Sequence, residues 1–150
     1  MKALWLGLVL VAACAEVQLP VRFALAPAQA GPAAVDNLVR ALAASGITPA
    51  TVDRQTGIVQ TEWQDTNFMY GQVQDQTATI VRRYTITLAP AGSGLEVLVR
   101  MDTQRCAQGT FSSGPNGFHG TCVQMDGVVA QHQKDLNALG AKLKQALGAS

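Results

Sequence analysis

Charge is scarce in this chain. Only 14% of its 150 residues are Asp, Glu, Lys or Arg, and the two signs nearly balance at a formal net charge of +1. Nucleic-acid binding draws on counterion release by a basic field; none exists here, so DNA and RNA are excluded as expected partners. Histidine is rarer still, at two residues, His119 and His132. His119 lies in a Gly-rich stretch that reads as a surface loop. His132 falls on the apolar stripe of a C-terminal helix, where a packed histidine is a commoner use than a general base. The acids Asp53, Glu62, Asp65, Asp75, Glu96, Asp102 and Asp126 show no spacing that pairs them for acid–base work. No G-x-S-x-G, P-loop or H-E-x-x-H motif occurs. The expectation is a protein that is not an enzyme and carries no cofactor.

What the chain has is apolar residues, 48% of the total. That is enough for one core of ordinary size, and one domain over residues 14–150 is expected. The first residues stand apart. Lys2 makes a positive start, Ala3 to Leu10 is an apolar run too short to cross a bilayer as a helix, and Val11-Ala12-Ala13 is a small-residue cleavage site. Residues 1–13 therefore read as a cleaved signal peptide. Val11-Ala12-Ala13-Cys14 resembles the lipobox of bacterial lipoproteins, a Leu/Val/Ile, a small residue, Ala or Gly, then Cys. That resemblance implies that Cys14 becomes a diacylglyceryl thioether at the new N-terminus. Each buried CH₂ is worth about 0.8 kcal/mol, so two or three acyl chains hold a protein at a membrane that a single chain grips only marginally. Ala15 follows the cysteine, not the Asp that marks inner-membrane retention, so the resemblance implies the outer membrane, with the domain facing the periplasm.

Export also bears on Cys106 and Cys122, the two cysteines that remain. An even pair in an oxidising compartment is expected to form a disulfide. It would close CAQGTFSSGPNGFHGTC, a loop whose cross-linking is worth about 3 kcal/mol. A metal site on Cys106, Cys122 and His119 is the alternative. It shows three ligands and fits no standard zinc spacing, so no metal is expected.

The folded part reads as alternating segments. Residues 17–27 carry Val21, Phe23 and Leu25 between two prolines, a first strand. Pro32, then Val35, Leu38, Val39 and Leu42, then Gly46 predict a capped helix. In residues 47–63 period two replaces period 3.6: Val59, Thr61 and Trp63 fall on one face, and Arg54 to Gly57 form the turn of a hairpin. A polar link from Gln64 to Gln76 follows. Then Ile80, Arg82, Tyr84, Ile86 and Leu88 share one face of a long strand, and Thr79, Arg83, Thr85 and Thr87 share a solvated one. Residues 90–94 turn the chain into a partner strand with Leu95, Val97, Val99 and Met101 inward. From about Val128 to Leu147 a second helix shows an apolar side with lysine cover. The predicted fold is α+β, an antiparallel sheet of about five strands with two helices on one face, in the order β-α-β-β-β-β-α.

The stretch ALAASGITPATVDRQTGIVQTEW, with RRYTITLAP and GLEVLVR after it, resembles the helix-grip domains of BamC-like lipoproteins of the outer-membrane barrel-assembly machinery. The shared features are a helix ending in Gly, a hairpin turning at D/R-x-x-G, and a strand ending Thr-Glu-Trp before a long Arg-Tyr strand. The resemblance implies an accessory, non-enzymatic module that works through contacts with other envelope proteins. Two surfaces are candidates: the 106–122 loop with Phe111 and Phe118, and the solvated sheet face with Arg83 and Arg100. The competing reading is an apolar-ligand pocket between helix and sheet, lined by Trp63, Tyr84 and Met101.

Overall fold

The chain is organised around one long hairpin. In the computed structural model, which describes residues 18–73, 76–107, 113–114, 117–118, 121–125 and 130–149, strands β5 (Gln76–Ala91) and β6 (Gly94–Ala107) pair without interruption from Ala78 opposite Ala107 to Ala91 opposite Gly94. Gly92, at φ 59°, begins the two-residue turn that joins them. The halves of this hairpin are flanked differently. Near the turn, β1 (Val21–Leu25) pairs with β6, while β3 (Ile58–Thr61) pairs with β5 and β2 (Pro49–Asp53) with β3. At the far end, β4 (Gln64–Val73) pairs with β5 and β9 (Cys122–Gln124) with β6. These pairings make one seven-stranded sheet, antiparallel at every pairing among the described residues. A separate two-stranded ribbon joins β7 (Ser113–Gly114) to β8 (Gly117–Phe118).

The α+β class is as predicted, but the sheet has seven strands where about five were expected. The Gln64–Gln76 link is a strand whose period is broken by extra residues. Asp65 to Met69 takes four steps against two on β5, and Met69 to Gln72 takes three against two. Asn67 and Gly71 absorb these bulges at φ 55° and 69°. Asp65 Oδ1 accepts from Asn67 N at 2.7 Å, and Thr66 Oγ1 donates to Ile80 O at 2.7 Å, so side chains tie the irregular strand down. β9 was missed for another reason. Its three residues gain a place in the sheet through Cys122, which is bonded to Cys106 directly opposite it on β6.

Both helices meet one face of the sheet. Helix α1 (Ala34–Ala44) buries Val35, Leu38, Ala41 and Leu42, and α2 (Ala130–Ala146) buries Leu136, Leu139 and Leu143. These stripes join Phe23, Leu25, Val59, Tyr84, Ile86, Leu88, Val97, Val99 and Met101 in one core. Strand alternation places the nine strand residues on a common face. Helix α1 stops where the sequence says. Gly46, at φ 74°, donates to Ala43 O and Ile47 N to Leu42 O, both at 3.0 Å, a Schellman closure that turns Ile47 back against the core. At the β2–β3 turn, Asp53 Oδ1 accepts from Gln55 N at 2.9 Å and Thr56 N at 3.1 Å. Those bonds to the charged form, with one from the Thr56 side chain first, hold the carboxyl below its usual range.

Candidate functional site

The sheet face turned away from the helices carries the first candidate surface, and a register shift creates it. Gln60 of β3 pairs with Thr85 and Gln64 of β4 with Arg82, so four steps from β3 into β4 meet three on β5. A single extra residue moves every later side chain to the other face. Thr61 stays inward and buried, its Oγ1 accepting from Tyr84 N at 2.9 Å. Trp63, expected beside Val59 and Thr61, is turned outward instead. Its ring lies under the Arg83 guanidinium, 4.7 Å from carbon to ring centre, and Arg83 Nε donates to Asp102 Oδ2 at 3.0 Å. Arg100, next on β6 along the same face, is exposed, and Arg22 and Glu96 pair loosely beyond it at 3.5 Å. Thr85 and Thr87, expected to be solvated, are half-buried there. Farther out the face closes: Thr79, expected to be solvated too, is buried with Val81 and Cys106.

The second candidate is a notch of about 260 Å³ between the end of α1, helix α2 and the start of β4. Arg82 and Asp135 form an ion pair in its wall, and Gln131 Nε2 donates to the other Asp135 oxygen at 2.9 Å. The Arg82 guanidinium also stands over the Tyr84 ring, 5.7 Å from its centre. Burial pushes the Tyr84 phenol above its ordinary range; Asp135 adds to the rise and Arg82 opposes it. Ser45 and Lys142 complete the polar lining, with the Ser45 hydroxyl donating to Ala41 O at 2.9 Å. The notch is thus a polar surface with its charges largely paired, not the apolar cavity that a greasy ligand needs.

Next to this notch, His132 is 2% exposed and its Nδ1 has no hydrogen-bond partner. Burial lowers its pKa, Arg82 lowers it further, and Asp135 works the other way. Its surroundings thus disfavour the charged imidazole, and its place on the buried side of α2 is that of a packed side chain.

No family model matches this chain, and no curated protein is significantly similar to it. Of the three residues expected to line a pocket, Tyr84 and Met101 sit opposite each other and buried, only Tyr84 also lines the notch, and Trp63 stands on the other side of the sheet. The structure does not bring them together. Arg83 and Arg100 do share a face with Trp63. Cys14, residues 1–13, Phe111 and His119 lie outside the described residues, and Phe118 is described only as part of the β8 backbone. Among the described residues no cluster of His, Cys, Asp or Glu could hold a metal, and no helix is long and apolar enough to cross a membrane. Sequence reasoning missed the exposed Phe68, Met69 and Tyr70 of β4, because that segment was read as a polar link. The run of three large side chains between Asn67 and Gly71 was the available signal.

Proposed function

We propose that this protein is a lipid-anchored component of the bacterial envelope, held at the outer membrane by acyl chains on Cys14 and facing the periplasm. It works as a non-enzymatic interaction module, in the manner of the BamC-like helix-grip lipoproteins, and it binds another envelope protein through the helix-free face of its sheet. The observation that carries this reading is the outward Trp63, stacked on Arg83 and flanked by exposed Arg100. Trp and Arg dominate the binding energy of protein interfaces, and a side chain already held by a stacked neighbour loses little freedom when a partner covers it.

The test is capture of the processed protein from its own envelope, with Trp63→Ala and Arg100→Glu compared against the wild type. A partner that binds through this face loses at least about tenfold in affinity, the scale of an interface hot spot. Equal recovery by all three chains sinks the assignment of the face, and recovery of barrel-assembly components supports the BamC-like role. The anchor is tested separately: Cys14→Ser is expected to leave the membrane fraction. A variant that still sediments with membranes removes the lipid tether from the account.

A further inference from the structure

The chain enters the domain at one turn of α2. The Gln133 side chain grips residue 19 at both backbone groups: Leu19 N donates to Oε1 and Gln133 Nε2 donates to Leu19 O, each at 3.0 Å. The next residue back, His132, meets Phe68 of β4 edge-on, with 6.4 Å between ring centres. Since neighbouring Cα atoms are only about 3.8 Å apart, the entry of the chain and the middle of β4 flank the same turn. Large apolar side chains are exposed on both sides of it: Leu19 at 67%, Phe68 at 41%, Met69 at 61% and Tyr70 at 49%. The other large exposed hydrophobics among the described residues, Ile58 and Val123, stand apart on β3 and β9.

From Cys14 to Leu19 an extended chain spans at most about 18 Å, at roughly 3.3–3.6 Å per residue, which keeps this end of the domain near the bilayer that holds the anchor. We propose that Leu19, Phe68, Met69 and Tyr70 form a membrane-facing rim, seated on the phospholipid surface beside the anchor. This rests on the lipid-tether reading of Cys14.

The chemistry of the rim suits that occupant. Tyr settles where one end of the ring is apolar and the other wet, and Leu, Phe and Met supply apolar area to the headgroup and acyl boundary. Positive charge stands close by. Lys134 is exposed on the same end of α2, and Arg105 Nη1 lies 3.2 Å from the position a Cβ would take at Gly71. Both favour anionic headgroups. Among the described residues β4 pairs with β5 alone, so a lipid surface also covers an edge strand that would otherwise invite pairing with another chain. Met69, paired with Thr79, marks the far end of the helix-free face, so seating the rim leaves the Trp63 end of that face open to partners.

The test uses the processed, lipidated protein in vesicles of phosphatidylethanolamine and phosphatidylglycerol with brominated acyl chains. The two tryptophans of the sequence are Trp5, removed with the signal peptide, and Trp63. Wild-type emission therefore reports the outer sheet face and is expected to be unquenched. In Phe68→Trp/Trp63→Phe the emission is expected to fall by roughly half, because a rim side chain lies about 5–10 Å into the boundary region. Tyr70→Trp/Trp63→Phe gives the same readout if the first variant folds poorly. A protein that floats with the vesicles but is unquenched in both variants overturns the rim and leaves the anchor standing. A processed chain that does not float overturns the anchor, and the rim with it. Emission that shifts to the blue with rising protein concentration, without lipid, assigns the surface to a second copy and also overturns the proposal.

Discussion

Gly140 sets how closely α2 approaches the sheet, and replacing it by alanine separates two opposing energies. Alanine in a helix interior is intrinsically favoured over glycine by about 1 kcal/mol. Here the gain is cancelled by crowding. A Cβ at residue 140 would overlap Val21 Cγ1 and stand 3.1 Å from Val21 Cβ, where α2 crosses β1. Valine has little rotamer freedom with which to yield, and overpacking of this kind costs about 1–3 kcal/mol. Gly140→Ala is therefore expected to destabilise the domain by about 1 kcal/mol, the middle of the range left after subtraction. In a Val21→Ala background the Cγ1 overlap is gone and only the 3.1 Å approach to Cβ remains, so the same change is expected to stabilise by up to about 1 kcal/mol. The sign reverses, and the coupling of up to about 2 kcal/mol is well beyond the few tenths seen for independent sites. Urea midpoints of the four chains, compared at a common slope, measure it directly. If Gly140→Ala has the same effect in both backgrounds, α2 does not lie against Val21 and the close packing of helix on strand is wrong.

Two further measurements address the disulfide and the buried histidine. Cys106→Ala/Cys122→Ala opens a bond between residues 16 apart, and loop-closure entropy for a loop of that size puts the loss at about 3 kcal/mol. Reduction of the wild type should bring its urea midpoint down to that of the double variant, and an unmoved midpoint would show that the bond does not constrain the chain. His132 is expected to titrate below its ordinary 6.5 in the fold, because its burial opposes charging. The unfolded chain therefore takes up the proton first. The contribution to stability is complete above 6.5 and declines as the pH falls through the lowered folded value. His132→Leu should flatten that part of the stability profile, and NMR titration of the two histidines reads the pKa itself. A His132 that titrates at or above the ordinary value contradicts the burial.

The elements that could be read from the residues are those whose signal is local. Helix α1 announces itself through Val35, Leu38, Val39 and Leu42, and ends at Gly46 because that position needs the left-handed conformation its Schellman closure takes. The inward faces of β5 and β6 follow from strict alternation, seen in the buried Tyr84, Ile86, Leu88, Val97, Val99 and Met101. The pairing of Cys106 with Cys122 was legible because they are the two cysteines left once Cys14 is set aside as the expected lipidation site. Strand β4 was not legible, because its bulges at Asn67 and Gly71 destroy the period that marks a strand. The candidate site was half legible. Arg83 and Arg100 were placed on the correct face, but Trp63 was assigned to the opposite one.

Composition and spacing alone thus determined the class of fold, the ends of the first helix, the long central hairpin and the absence of recognisable catalytic motifs. Tertiary pairing decided which way Trp63 faces, since one extra residue opposite β5 inverts the alternation and no residue near it announces the insertion. It also decided that Leu19 and Phe68 flank one turn of α2, joining residues 49 positions apart in the chain through Gln133 and His132. Local pattern records what a segment prefers, whereas the partner that a strand or a side chain meets depends on distant parts of the chain.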